Sequence, residues 1–189
     1  MKSFKILAFT MIVLLVAAFT VKEQKLVSKN VHISFFSYTP VEDITAHNYK
    51  VVSTLDKATG EVVFSVPMQS FEFEKALMQK HYNSDKFLDT KEFPKAKLTG
   101  KITNLGDIDF TKDGTYQANV KGELTIKGKT NPISEPGTIT IKNGSVSVAT
   151  KFNIVLADYG ITFAKGKPAT NIAKEIEISV EGDYSELDS

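Results

Sequence analysis

The sequence contains no cysteine and no tryptophan. The missing cysteines exclude disulfide staples, thiolate catalysis, cysteine-ligated zinc and an acylated cysteine behind a leader. Stability must therefore come from core packing. A surplus of either charge is also missing: 23 Lys and Arg stand against 22 Asp and Glu, a formal net charge of +1. Phosphate backbones are bound by concentrated cations, so nucleic acid is excluded as the main partner. The basic residues are interspersed with acidic ones along the whole chain, the pattern of a solvated mixed surface.

The motifs of catalysis are absent as a set. No G-x-S-x-G nucleophile elbow occurs. Gly128-Lys129-Thr130 resembles the tail of a phosphate loop, but the position of its first glycine is Glu123 and no helix is expected to follow. A hairpin turn explains it. Asp107, Asp109 and Asp113-Gly114 hint at a calcium loop. Thr111 lacks the carboxylate, Lys112 stands where glycine is needed, and Ala118 stands where the closing glutamate belongs. His32, His47 and His81 have no second histidine at metal-ligand spacing. No metal and no cofactor is expected. An enzyme reading would need a polar residue such as Glu72, His81 or Asp158 buried in a cleft with a shifted pKa.

What is present is apolar. Hydrophobic residues make up 42% of the chain and phenylalanine alone contributes 13 residues, enough to build a thick core or to line a cavity. The one long apolar run stretches from Ile6 to Val21 behind Lys2 and Lys5, with Ala17 and Ala18 near its end. A basic start, a short apolar stretch and small residues read as a secretory signal peptide. The run is short for a membrane span; a retained N-terminal anchor is the alternative. The expected division is a signal peptide at 1–20 and one domain at 21–189, with the mature protein periplasmic or secreted.

The rest alternates with period two, the signature of half-buried strands. Val31, Ile33 and Phe35 share a parity, with His32 on the polar one. A run follows at 44–55, then Val62, Phe64 and Val66 up to Pro67, and Phe71 and Phe73 beyond it. Residues 74–82 favour a short helix, with Leu77/His81 and Met78/Tyr82 four apart. Residues 86–94 read as a loop or a second short turn of helix. Ala96, Leu98, Gly100 and Ile102 form the next face, and Tyr116, Ala118, Val120, Gly122, Leu124 and Ile126 a longer one. Ile139 and Ile141 precede Asn143-Gly144, the strongest short hairpin signal, and Val146 and Val148 follow it. The turn also explains the Asn143-Gly144-Ser145 glycosylation sequon. Phe152, Ile154 and Leu156 extend that strand, and Ile176, Ile178 and Val180 mark the last. The fold expected is all-β: an antiparallel barrel of about eight strands with one short helical insertion, a two-sheet sandwich being the alternative.

Eight strands leave an interior either filled or able to hold one small ligand. The candidates for a ligand-lined lumen are Phe35, Phe64, Val66, Phe71, Phe73, Leu98, Ile102, Tyr116, Val120, Leu124, Ile141, Val148, Phe152 and Ile154, with His81 a candidate at the mouth. Alternation alone does not distinguish a filled barrel from an open one. The leading expectation is a non-enzymatic carrier of an apolar or amphiphilic lipid, with membrane contact only for cargo exchange. The alternative is a stress-response or protein-interaction module with a solid core.

One stretch is recognisable beyond its pattern. Met78-Gln79-Lys80-His81-Tyr82-Asn83-Ser84-Asp85-Lys86-Phe87-Leu88-Asp89, followed by Glu92-Phe93-Pro94, and Gly122-Glu123-Leu124-Thr125-Ile126-Lys127-Gly128-Lys129-Thr130 resemble the motifs of the YceI-like family in order and spacing. The resemblance covers roughly residues 26–184. It implies an extended lipocalin-like barrel, usually periplasmic or secreted, in which some members hold a polyisoprenoid or quinone-like chain. It implies no catalytic residues. The sequence departs from the family at Ser28-Lys29-Asn30, where an acidic and histidine-containing opening is usual, and at Ser70-Phe71-Glu72-Phe73.

Overall fold

The computed structural model describes residues 25–39, 42–162 and 173–186. The expected leader at 1–20 lies outside the described residues. The strands are β1 (Lys25–Ser37), β2 (Ile44–Asp56), β3 (Glu61–Pro67), β4 (Glu72–Phe73), β5 (Lys95–Ile102), β6 (Gly114–Ile126), β7 (Lys129–Lys142), β8 (Ser145–Val155) and β9 (Glu175–Glu186), with one helix, α1 (Ala76–Asn83), between β4 and β5. The sheet runs β1-β9-β8-β7-β6-β5-β3-β2, and β1 pairs with β2 to close it; β4 is a two-residue addition to β2. The pairing of β1 with β2 overturns the sandwich alternative, because a sandwich keeps its two sheets apart.

Local chemistry sets the corners. Asn143 and Gly144 both have positive φ, 51° and 79°, as a two-residue turn of this hand requires. Lys127 and Gly128 repeat the device at 49° and 73° and join β6 to β7. A β-carbon on Gly128 would stand 2.8 Å from Cε1 of Phe93. The two recognisable sequence stretches therefore meet there, the aromatic of one lying on the turn glycine of the other. Asn48, fully buried, holds an irregularity in the β1–β2 ladder: its Oδ1 accepts from the Lys50 N–H and its amide donates to the Pro67 carbonyl.

β7 begins ten residues earlier than the alternation suggests. Pro132 and Pro136 interrupt the pattern, yet both pair with β6, opposite Glu123 and Asn119. Counting from the Ile126–Lys129 pair that closes the turn, even-numbered residues of β7 direct their backbone nitrogen away from β6. β8 joins β7 only from Thr138 onward. Among the described residues no strand pairs with this part of β7 on that side, so the prolines stand where no donor is needed.

The interior divides in two. One buried cluster includes Val31, Ile33, Val66, Phe71, Tyr82, Leu124, Ile126, Ile154 and Val180. The other includes Leu26, Leu55, Val62, Ile102, Ala118, Ile139, Ile141, Val146 and Tyr184. Between them the inward faces carry glycine. Gly100 lies opposite Gly122, and Gly182 packs on Val31, whose Cγ2 would be 2.9 Å from an added β-carbon.

In the second cluster, the Tyr184 hydroxyl and Ser53 Oγ share a buried hydrogen bond of 2.5 Å. Burial pushes the Tyr184 phenol up to about 12 from an ordinary 10.0, partly offset by the Ser53 bond. The folded state therefore holds the proton more tightly than the unfolded chain. Its contribution is complete below about pH 10 and is lost as pH rises toward 12, about 2–3 kcal/mol in all. Urea unfolding across that window should show a stability loss that is visibly shallower in Tyr184→Phe. An equal slope in both proteins would refute the assignment.

Candidate functional site

The first cluster surrounds a cavity of about 800 Å³. Its wall is built mainly by the inward residues of six strands and closed on one side by α1. β1 contributes Ile33 and Phe35, β3 Phe64 and Val66, β5 Ala96 and Leu98, and β6 Leu124 and Ile126. β8 adds Phe152 and Ile154, and β9 adds Ile176, Ile178 and Val180. Period-two alternation is what brings them together, since every second side chain of each strand must point inward once the sheet closes.

α1 is pinned from beneath by aromatic rings. Tyr82 is buried, and its ring centroid lies 5.0 Å from that of Phe73, 5.7 Å from Phe71 and 6.0 Å from Phe35. Such tilted and offset pairs add to the area they bury. Burial raises the Tyr82 phenol well above its ordinary value; its hydroxyl points at the Met68 sulfur, 4.0 Å away. Below the helix, Thr90 Oγ1 donates to Asn83 Oδ1 at 2.8 Å, and Gln69 donates to the Thr90 carbonyl at 3.0 Å, fixing the loop that returns to β5. Lys127 reaches from the β6–β7 turn to the Phe87 carbonyl.

The charged side chains gather at the rim, while Thr150 is a polar residue of the wall on β8. Glu42, Lys75, His81, Ser84 and Lys86 line the opening. Lys75 and Glu42 form an ion pair that ties the start of α1 to the β1–β2 connection; the contact raises the Lys75 ammonium pKa. Ser84 Oγ donates to the His81 carbonyl at 2.7 Å. Leu77 lines the same opening and is largely exposed.

Nine of the fourteen lumen candidates line this cavity: Phe35, Phe64, Val66, Phe71, Phe73, Leu98, Leu124, Phe152 and Ile154. His81 stands at its mouth. The other five need correction. Ile102, Tyr116, Val120, Ile141 and Val148 share the inward parity but belong to the filled cluster on the far side of the glycines. Parity assigns a face and not a depth, so the sequence merged two interiors into one. Several lining residues were missed. Ile126 and Val180 continued faces already identified, and Phe87 lay within a recognisable stretch. Leu156 extended the alternation of Phe152 and Ile154, although it sits in the turn after β8, and Met68 and Ile161 come from turns outside any strand pattern.

The remaining chemical candidates lie elsewhere. Glu72 and Asp158 are exposed, as is His81, so none is desolvated as an enzymatic acid or base would need. Asp109 is held at about 2 by hydrogen bonds from Lys112 and Thr111, and Asp113 accepts from the Asn143 N–H. These are turn-forming contacts. His32 Nε2 and His47 Nδ1 are 3.0 Å apart on the outer wall, beside Tyr49. Among the described residues no group of three or more His, Cys, Asp or Glu could hold a metal ion. No helix among them is long and apolar enough to cross a membrane.

Comparison with known proteins bears on this arrangement. The profile of the YceI-like domain matches residues 16–184. UPF0312 proteins of Pseudomonas putida are 32% identical over 111 residues, 54% of this chain and 52% of theirs. The chain thus spans about half the length of the curated relatives it matches. Among solved structures, a polyisoprenoid binding domain from Saccharophagus degradans superposes with a TM-score of 0.72 at 13% identity, covering 87% of this chain and 99% of that one. BcnA of Burkholderia cenocepacia gives 0.69 at 19% identity, covering 82% and 96%. A YCEI protein of Campylobacter jejuni gives 0.55 at 15% identity, with both chains covered fully. At these identities the likeness establishes the fold.

Proposed function

The chain belongs to the YceI-like family, and from that premise we propose that it is an exported carrier that holds the tail of one apolar or amphiphilic lipid in the cavity half of its barrel. The tail would be an isoprenoid, a quinone side chain or a fatty acyl chain. The observation that carries the reading is the cavity itself: about 800 Å³ inside the barrel, walled mainly by aliphatic and phenyl side chains, with its charged groups at one end. Pockets that enclose drug-sized ligands span about 300–1,000 Å³. The fold of a polyisoprenoid binding domain supports the same class of cargo.

The physical basis is burial. Each methylene moved out of water gains about 0.8 kcal/mol. A tail of ten carbons thus gains roughly 8 kcal/mol, of the same order as the 4–15 kcal/mol that association costs. Long tails are therefore selected over short ones without any polar contact. Strand pairing around most of the circumference holds the wall, so little ordering is needed when the tail enters. Binding, not bond-making, is the activity assigned.

Native mass spectrometry of protein purified without detergent from the producing cells, followed by lipid extraction, tests the reading. The expected result is a stoichiometric added mass that releases an isoprenoid, quinone or acyl chain. A protein that stays at its apo mass and takes up no offered lipid would leave the solid-core interaction module as the better account.

A further inference from the structure

We propose that the lipid bound in this cavity carries an anionic headgroup, a carboxylate or a phosphate, held at the mouth by Lys86 and His81. The inference rests on the carrier reading above and narrows it to one class of amphiphile. Its ground is the distribution of charge around the opening.

The cavity is lined by few ionisable side chains: Glu42, Lys75, His81, Tyr82 and Lys86 among the described residues. Tyr82 is buried beneath the helix. Glu42 and Lys75 are paired with each other, so the acidic group of the rim is neutralised by its own partner. Lys86 and His81 remain. Both are exposed, and among the described residues neither side chain makes a hydrogen bond or an ion pair. The neighbouring acids Glu74 and Asp85 do not line the cavity.

A tail drawn into the apolar lumen must leave its headgroup at this rim, because the wall beyond offers it almost no hydrogen-bond partner. There it meets an ammonium and an imidazole with unused donor capacity. Hydrogen bonds from such donors to a carboxylate or phosphate oxygen are short and roughly twice as strong as neutral ones. The adjoining apolar wall lowers the local dielectric and strengthens them further. An alcohol of the same tail gains a single neutral bond, and an amine meets like charge.

Displacement of an apolar fluorescent dye from the full chain at about pH 7 tests this. The probes are hexadecanoate, hexadecan-1-ol and hexadecylamine, which share one tail, and farnesyl phosphate with farnesol, which share another. The anion should bind roughly tenfold or more tightly than the alcohol of its own tail, and the amine more weakly than the alcohol. The preference should shrink as salt rises to about 0.5 M. It should vanish in Lys86→Gln combined with His81→Gln, in which the anion and the alcohol of one tail bind alike. The larger of the two anion-to-alcohol ratios identifies carboxylate or phosphate as the headgroup. Alcohols that bind as tightly as anions, or a preference that survives the double substitution, overturn the proposal and leave the carrier reading intact. Failure of every tail to bind overturns both.

Discussion

Replacing Ala96 with phenylalanine should leave the barrel folded and weaken lipid binding about tenfold or more, whereas the same replacement at Ala118 should unfold or badly destabilise it. The two alanines are alike in sequence context. Both are buried on inward faces of neighbouring strands, at 5% and 3% exposure. Ala96 faces the cavity, so an added ring has space and occupies the volume a lipid tail would take. Ala118 faces the filled cluster, where extra atoms force side chains off their rotamers and cost about 1–3 kcal/mol, or more for a whole ring. Urea melts and dye displacement on both variants read the contrast. Equal destabilisation would mean that the barrel is packed along its whole length, and the carrier reading would lose its physical basis.

The second large effect is expected at the junction of the two interiors. Gly122→Ala should cost about 3 kcal/mol or more. A β-carbon there would stand 2.3 Å from the Thr99 carbonyl oxygen and 2.5 Å from Cα of Gly100. Both are backbone atoms of the paired strand, so no side chain can move aside to relieve the contact. The β5–β6 ladder would have to separate where it passes between cavity and core. Gly106 supplies the control, because a β-carbon there meets nothing within 4 Å, and Gly106→Ala should change stability by less than about 0.5 kcal/mol. A thermal melt of Gly122→Ala that coincides with the parent would show that the close approach does not constrain the barrel.

Much of this architecture was legible in the chain. Alternation through about eight antiparallel runs pointed to a barrel and left the sandwich to be excluded by the β1–β2 pairing, and Asn143-Gly144 located its hairpin because few residues tolerate two successive positive φ angles. The helix under the mouth was visible in the four-residue spacing of Met78 and Tyr82. What escaped has physical reasons. The first half of β7 was hidden by Pro132 and Pro136, whose missing donors matter only where a second strand pairs. Five lumen candidates, Ile102, Tyr116, Val120, Ile141 and Val148, were placed on the correct face at the wrong depth. Depth along a barrel axis depends on register and stagger between strands, which one strand's pattern does not encode. Lys86 was read only as part of a loop, since a lysine in a polar stretch carries no signal until the fold sets it beside an opening.

The register of β1 on β9 has a mechanical consequence. Leu26 lies opposite Glu186, so the first and last described strands are neighbours and both end beside the filled cluster, away from the cavity mouth. A force applied between those ends acts across the ladder and not along it. The strands would peel apart one hydrogen bond at a time, starting at the packed end, at the low tension typical of a zipper and not the high tension of a sheared interface. The mouth, farthest from the pulled ends, would be the last part of that seam to open.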